Sequence, residues 1–260
     1  MLLASCAHAP PLAGRIWDTH AARFVSPEEL YERALRAQYV ILGETHDNAE
    51  QHRLQRVVLD ALASEPRVLA MEQFDSEHQA AIDAARPAGG EAVADAGRFD
   101  RKGWNWPLYR PLVEFALEHG WPIAAANLSR SEARAVVADP TRSGLSPAAP
   151  AVQAALERDI VEGHCGNAPD PRRLAGMVEA QRARDARMAS VIRGRRSVLI
   201  AGNGHARRDH GVPLYLAATD VLSIAFTEVD EGSPQDYDAA SYDYLWFTPR
   251  AAREDPCLGR

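Results

Sequence analysis

Apolar residues in this chain come in short, dense runs separated by longer stretches with a helical rhythm. The runs at 39–42, 68–72, 122–127, 198–202, 221–229 and 244–247 have strand length. They show little polar alternation, which reads as strands buried on both faces. Ser26-Pro27-Glu28-Glu29-Leu30 is a helix start, with Ser at the N-cap, Pro in the first position and acids in the first turn. Asp47 or Asn48 caps a second helix, in which Gln51, Leu54, Gln55, Val58, Ala61 and Leu62 keep the 3.6-residue period. The strand–helix–strand order is that of a right-handed parallel unit. The pattern predicts an α/β fold with a mostly parallel central sheet flanked by helices.

Two blocks interrupt that alternation. Residues 75–103, rich in Ala, Gly and Asp, read as an insertion, after which Trp104-Asn105-Trp106-Pro107 opens a helix running to Leu117. Residues 129–195 are mostly helical and polar, broken at Ser143-Gly144, Ala149-Pro150 and Ala168-Pro169. That block predicts a helical insertion capping the strand ends. Residues 1–25 read as an N-terminal segment and tether, and 26–260 as the domain.

A chain of 260 residues, 46% of them hydrophobic, can bury one full core. Its net charge of −7 leaves no basic stripe to neutralise phosphates, so nucleic acid is not an expected partner. There is no run of about 18 apolar residues, so no transmembrane helix is expected. Leu3-Ala4-Ser5-Cys6 carries the small-residue pattern that precedes a lipidated cysteine, followed by a tether-like Ala7-His8-Ala9-Pro10-Pro11. A lipid on Cys6 would be the membrane contact. It would also leave Cys165 and Cys257, both in polar segments, as a pair compatible with one disulfide in an oxidising compartment. Two unpaired surface thiols are the alternative.

The chemistry gathers at two echoing motifs. Gly43-Glu44-Thr45-His46 and Gly202-Asn203-Gly204-His205 each close an apolar run with Gly-x-x-His, and Glu72 ends the strand of 68–72. Ligands of open α/β sheets sit beyond the carboxyl ends of the strands. Glu44, His46, Glu72 and His205, with His52 nearby, are therefore the candidate constellation, as ligands of a divalent metal or as groups activating water in a hydrolase. The competing reading has the glutamates capping helices while the histidines bond to the backbone. Arg207 and Arg208, directly after His205, are candidate partners of an anionic ligand group, or else a solvated loop.

The residues also resemble a family. Gly43-Glu44-Thr45-His46-Asp47-Asn48, Met71-Glu72-Gln73-Phe74, Ala125-Ala126-Asn127-Leu128, His164-Cys165-Gly166, Gly202-Asn203-Gly204-His205, Phe247-Thr248-Pro249 and Asp255-Pro256-Cys257 look like the ChaN family of iron-regulated, haem-binding lipoproteins. ChaN lies within the Tiki superfamily, with the TraB proteins and erythromycin esterases, some of which are metal-dependent proteases or hydrolases. The resemblance covers nearly everything from residue 25 onward. It implies haem bound at a homodimer interface, with tyrosine as iron ligand and histidine assisting from the partner chain. It further implies an outer-membrane, periplasm-facing or surface lipoprotein tied to haem uptake, with a receptor or transport components as partners. Tyr215 is the first candidate for the iron ligand and Tyr109 the alternative, with His210, Arg207 and Arg208 near the propionates. Trp104 and Trp106 are candidates to line a flat porphyrin site. A metal-dependent hydrolase is the alternative function.

Overall fold

The computed structural model describes residues 12–216, 220–229, 232–254 and 257. Its strands are β1 (Ile16–Asp18), β2 (Arg23–Val25), β3 (Tyr39–Glu44), β4 (Val68–Asp75), β5 (Ile123–Asn127), β6 (Ser197–Gly202), β7 (Val221–Val229) and β8 (Tyr244–Pro249). The helices are α1 (Pro27–Arg36), α2 (Ala49–Ala61), α3 (Gln79–Ala85), α4 (Gly90–Ala96), α5 (Trp106–Glu118), α6 (Arg130–Ala138), α7 (Pro150–Gly163), α8 (Pro171–Ile192) and the single turn α9 (Asn203–Ala206).

The strands form one sheet in the order β2-β1-β8-β7-β3-β6-β4-β5. From β8 to β5 every pairing is parallel, as the apolar runs predict. Both faces are covered. Val40, Leu42, Leu69, Met71, Val198 and Ile200 point to one side and pack on α1, α2 and α5. Tyr39, Ile41, Val68, Ala70 and Leu199 point to the other and meet Met188, Ala189 and Ile192 of α8. Side chains alternate along each strand, so an unbroken apolar run is what a doubly covered strand needs.

The 129–195 block caps the strand ends only in part. The last turns of α8 lie flat on the sheet face, while its earlier residues Gln181 and Asp185 overhang the strand ends and reach His205. At 22 residues α8 is about 33 Å long, enough for both tasks. Helices α6 and α7 pack outside it.

The tether reading of residues up to 25 needs correction. From residue 12 onward the segment belongs to the domain: β1 and β2 form an antiparallel hairpin, and β1 pairs with β8. Strands of three residues carry too short a pattern to show in a sequence. Cys6 lies outside the described residues. Cys165, at the end of α7, is disulfide-bonded to Cys257, 92 residues away, with their Cα atoms 5.5 Å apart.

The segment after β8 is also held from within. Arg253 bonds both Asp47 oxygens at 2.7 Å and grips Glu228 on β7. Asn48 donates from Nδ2 to Glu228 and to the Pro249 carbonyl while its Oδ1 caps α2. The turn carrying His46 is thereby clamped to the C-terminal segment.

Candidate functional site

Glu44 is the last residue of β3, which lies between β6 and β7 in the sheet. Its carboxylate is buried and surrounded by donors. Oε1 accepts from the His46 Nδ1 (2.9 Å), the Tyr109 hydroxyl (2.5 Å) and Gln73 Nε2 (3.3 Å), and Oε2 accepts from Gln55 Nε2 (2.7 Å). His52, also buried, stands 3.5 Å from Oε2 and bonds the His46 carbonyl through Nε2. Burial, and then the Glu44 charge, push the Tyr109 phenol far above its usual range, so its proton stays on.

His46 is the outward member of this group. Its side chain is 43% exposed, and its ring meets the Trp104 ring edge-on at 4.5 Å. Burial lowers its pKa, but the bond to Glu44 and the charge of Glu72 outweigh that and leave it raised. With Nδ1–H committed to Glu44, Nε2 is the atom left to meet a ligand, which is how metal-binding histidines are oriented.

A second carboxylate–histidine set lies beside it. Asp185 on α8 and His205 Nδ1 are 2.6 Å apart, and His205 Nε2 is 3.4 Å from Glu72 Oε1. Glu72 Oε2 accepts from the Gly202 amide at 2.8 Å. All three side chains are buried. Burial opposes the His205 charge, but Glu72 and Asp185 outweigh it and raise the imidazole to about 10. For Glu72, burial alone would raise the carboxyl; the His205 cation and its hydrogen bond, then His46 and the Gly202 amide, hold it at about 2. Asp185 is raised by burial, with His205 opposing.

Two glycines make the close approach possible. A Cβ on Gly202 would lie 2.9 Å from His46 Cε1 and 3.8 Å from Glu72 Oε2, so the backbone of β6 fills the space between them. A Cβ on Gly43 would strike the Asn203 side chain at 2.5 Å.

Glu44, His46, Glu72 and His205 thus share one cleft at the carboxyl edge of β3, β4 and β6. As they stand, the Glu44 oxygens accept hydrogen bonds from within the chain. Among the described residues, the group with ligand atoms within 4.8 Å of one another is Asp75, Glu77 and His78, at the rim.

The residues expected around haem are placed differently. The Tyr215 hydroxyl is buried, beside Arg182 and Asp185 of α8. Tyr109 is spent on Glu44. His210 is buried between Asp159 (2.8 Å) and Asp209 (3.2 Å). Arg207 is matched by Asp209 and Asp238, and Arg208 by Asp243. Their charges are met from within the chain, where the sequence suggested propionates. Trp106 is buried and bonds Glu91, whereas Trp104 does border the cleft.

The sequence reading missed Asp185 and the Gln73 bond. Asp185 hides in a polar helix, although Gln181 and Asp185, four apart, mark one polar stripe facing inward. Gln51 and Gln55 carried a fuller signal: amides on the apolar period of α2 implied buried partners, found at Thr45, Thr248 and Glu44. For iron, His46 Nε2 is one donor atom that the cleft offers.

A profile described as "Haem-binding uptake, Tiki superfamily, ChaN" matches residues 30–216. The fold is similar to a structure titled "Cofacial heme binding to ChaN of Campylobacter jejuni", with 25% identity, a TM-score of 0.77, and coverage of 89% of this chain and 95% of that one. It is also similar to the type III effector HopBA1, with 16% identity and a TM-score of 0.50 over 94% of this chain and 97% of that one, a likeness of fold alone. No curated protein matches this sequence.

Proposed function

The chain belongs to the ChaN family of haem-binding uptake proteins in the Tiki superfamily, and from that premise we propose that it binds haem as cargo, with His46 Nε2 turned toward the iron. The observation carrying the reading is the Glu44–His46 pair, which orients an accessible imidazole nitrogen beside the Trp104 ring. The Campylobacter ChaN binds haem cofacially. Two haems face to face suit two copies of a chain that each offer one outward histidine, so a homodimer is part of the proposal. A role in haem and iron uptake follows from the family, with a receptor or transport components as partners. A lipid on Cys6 would anchor the protein in the outer membrane, facing the periplasm or the cell surface. The Leu-Ala-Ser-Cys pattern and the disulfide support that placement.

Titration of the purified full chain with ferric haemin tests the reading. A Soret shift in the wild type that is lost in His46→Ala is the expected outcome. No spectral change in the wild type would reject it.

One observation favours a second reading, a hydrolase. The Asp185–His205–Glu72 array keeps a carboxylate ionised beside His46, which is more than a haem cradle requires. Such a pair can hold and pass a proton. Turnover of a peptide or ester panel, lost in Glu72→Gln, would place this reading first. Sensitivity of that turnover to chelator would add a divalent metal to it.

A further inference from the structure

Beside Glu72 lies a cavity of about 290 Å³ that the haem reading does not use. Trp104 and Asn127 form part of its wall, and three arginines from three separate elements reach it: Arg98 after α4, Arg130 at the start of α6 and Arg184 on α8. Three carboxylates also line it, Glu72, Asp75 and Asp100, so the balance of charge needs care. Glu72 is met by His205 and by the Gly202 amide. Asp100 is spent on Arg130. Asp75 is raised by burial, with the charges of His78 and Arg184 opposing. Arg184 bonds only the Asn127 amide oxygen, at 2.9 Å, and the exposed Arg98 has no carboxylate within ion-pair distance among the described residues. Two guanidinium groups at the cavity, those of Arg98 and Arg184, are therefore without an ion pair among the described residues.

Arg98 carries a second signal. Helix α4 ends in a Schellman pattern, in which Phe99 N bonds the Ala94 carbonyl at 2.8 Å and Arg98 N bonds that of Asp95 at 3.1 Å. The residue after such a cap is left-handed and is most often glycine, because a Cβ is strained there. Here it is Arg98, at φ +49°. A strained arginine with an unpaired guanidinium at a cavity points to a binding role.

We propose that the Arg98–Arg130–Arg184 cavity binds the carboxylate or phosphate group of an anionic ligand and holds it beside Glu72 and Trp104. The unpaired guanidinium groups of Arg98 and Arg184 suit the spread oxygens of such a group, and Arg130, held by Asp100, adds a third at the same wall. The source is either a haem propionate or a separate small anion, and the site exists in either case.

Calorimetry on the haem-free full chain, with inorganic phosphate and with citrate as probes, tests the proposal. Saturable binding of one of them at one site per chain is expected. Arg98→Gly should weaken it about tenfold while raising the melting temperature, since glycine relieves the left-handed strain. A purely structural Arg98 would give the rise in melting temperature with the anion affinity unchanged. Repeating the titration after loading haemin assigns the source. Loss of the small-anion signal identifies a propionate in the cavity, and an unchanged signal identifies a separate anion. No saturable binding of either probe, or equal affinity in Arg98→Gly, would overturn the proposal. A Soret titration of the same variant keeps that failure distinct from a failure of haem binding.

Discussion

Glu44 Oε1 and His46 Nδ1 stand 2.9 Å apart across the turn that ends β3. The carboxylate is buried, and the imidazole is its one partner with a large exposed fraction. The pair works as an anchor and a pointer. Four further side chains around Glu44 fix the anchor, so the direction of the ring depends little on the solvent around it.

Glu44→Gln keeps the shape of the anchor but removes its charge. Losing an oriented partner of a ligating histidine typically costs about 10–100-fold in affinity. Haemin affinity, read from Soret titrations, should fall by that order in Glu44→Gln. With His46 as the iron ligand, Tyr215→Phe should leave the spectrum unchanged, because that hydroxyl is buried. A changed Tyr215→Phe spectrum with an unchanged Glu44→Gln one would return the ligand role to tyrosine.

The Glu72–His205 pair sets a pH window for stability. His205 rises from 6.5 to about 10 on folding, so its contribution is complete below pH 6.5 and is lost as pH climbs through 10. Glu72 falls from 4.5 to about 2, so its contribution is present above pH 4.5 and is lost as pH drops through 2. Asp185, raised by burial, subtracts from stability above 3.8. Urea midpoints should be highest between pH 4.5 and 6.5 and should decline toward alkaline pH. His205→Asn should flatten the alkaline limb. A limb of equal slope in the variant would show that another group controls it.

Gly202→Ala places a methyl group 2.9 Å from His46 Cε1. Overpacking of this kind costs typically about 1–3 kcal/mol. Thermal unfolding should show that loss, and the haemin spectrum should shift because the ring must move. A variant with the stability and spectrum of the wild type would mean that the ring has room to yield.

Denatured protein from an oxidising compartment should show Cys165 and Cys257 blocked to thiol reagents until reduced. In the chain-entropy picture, closing a loop of about 90 residues contributes roughly 4–5 kcal/mol. Cys165→Ser should lower the urea midpoint accordingly. Two reactive thiols at these positions would mean that the bond does not form in solution.

The parallel sheet was legible because β3, β4, β6 and β7 are apolar on both faces, and that pattern belongs to the residues themselves. The cleft was legible for the same reason: Glu44, Glu72 and His205 stand at the ends of those runs. The hairpin of β1 and β2 was not, since two strands of three residues, one of them pairing with β8 more than 200 positions away, leave no local period. The partners were hidden likewise. Tyr109 and Glu44 are 65 residues apart, and Asp185 and His205 are 20 apart across a helix–strand turn. Arg207 and Arg208 misled because a free arginine and a matched one look alike until Asp238, Asp209 and Asp243 are placed beside them.

The grip of Arg253 on Asp47 and Glu228 gives the cysteine pair a reach beyond its own loop. Cys257 lies only four residues past Arg253, so the C-terminal segment that holds the His46 turn is itself joined covalently to the end of α7. The turn at the mouth of the cleft is thus tied to a helix on the far side of the chain by a bond that persists where the surroundings are oxidising.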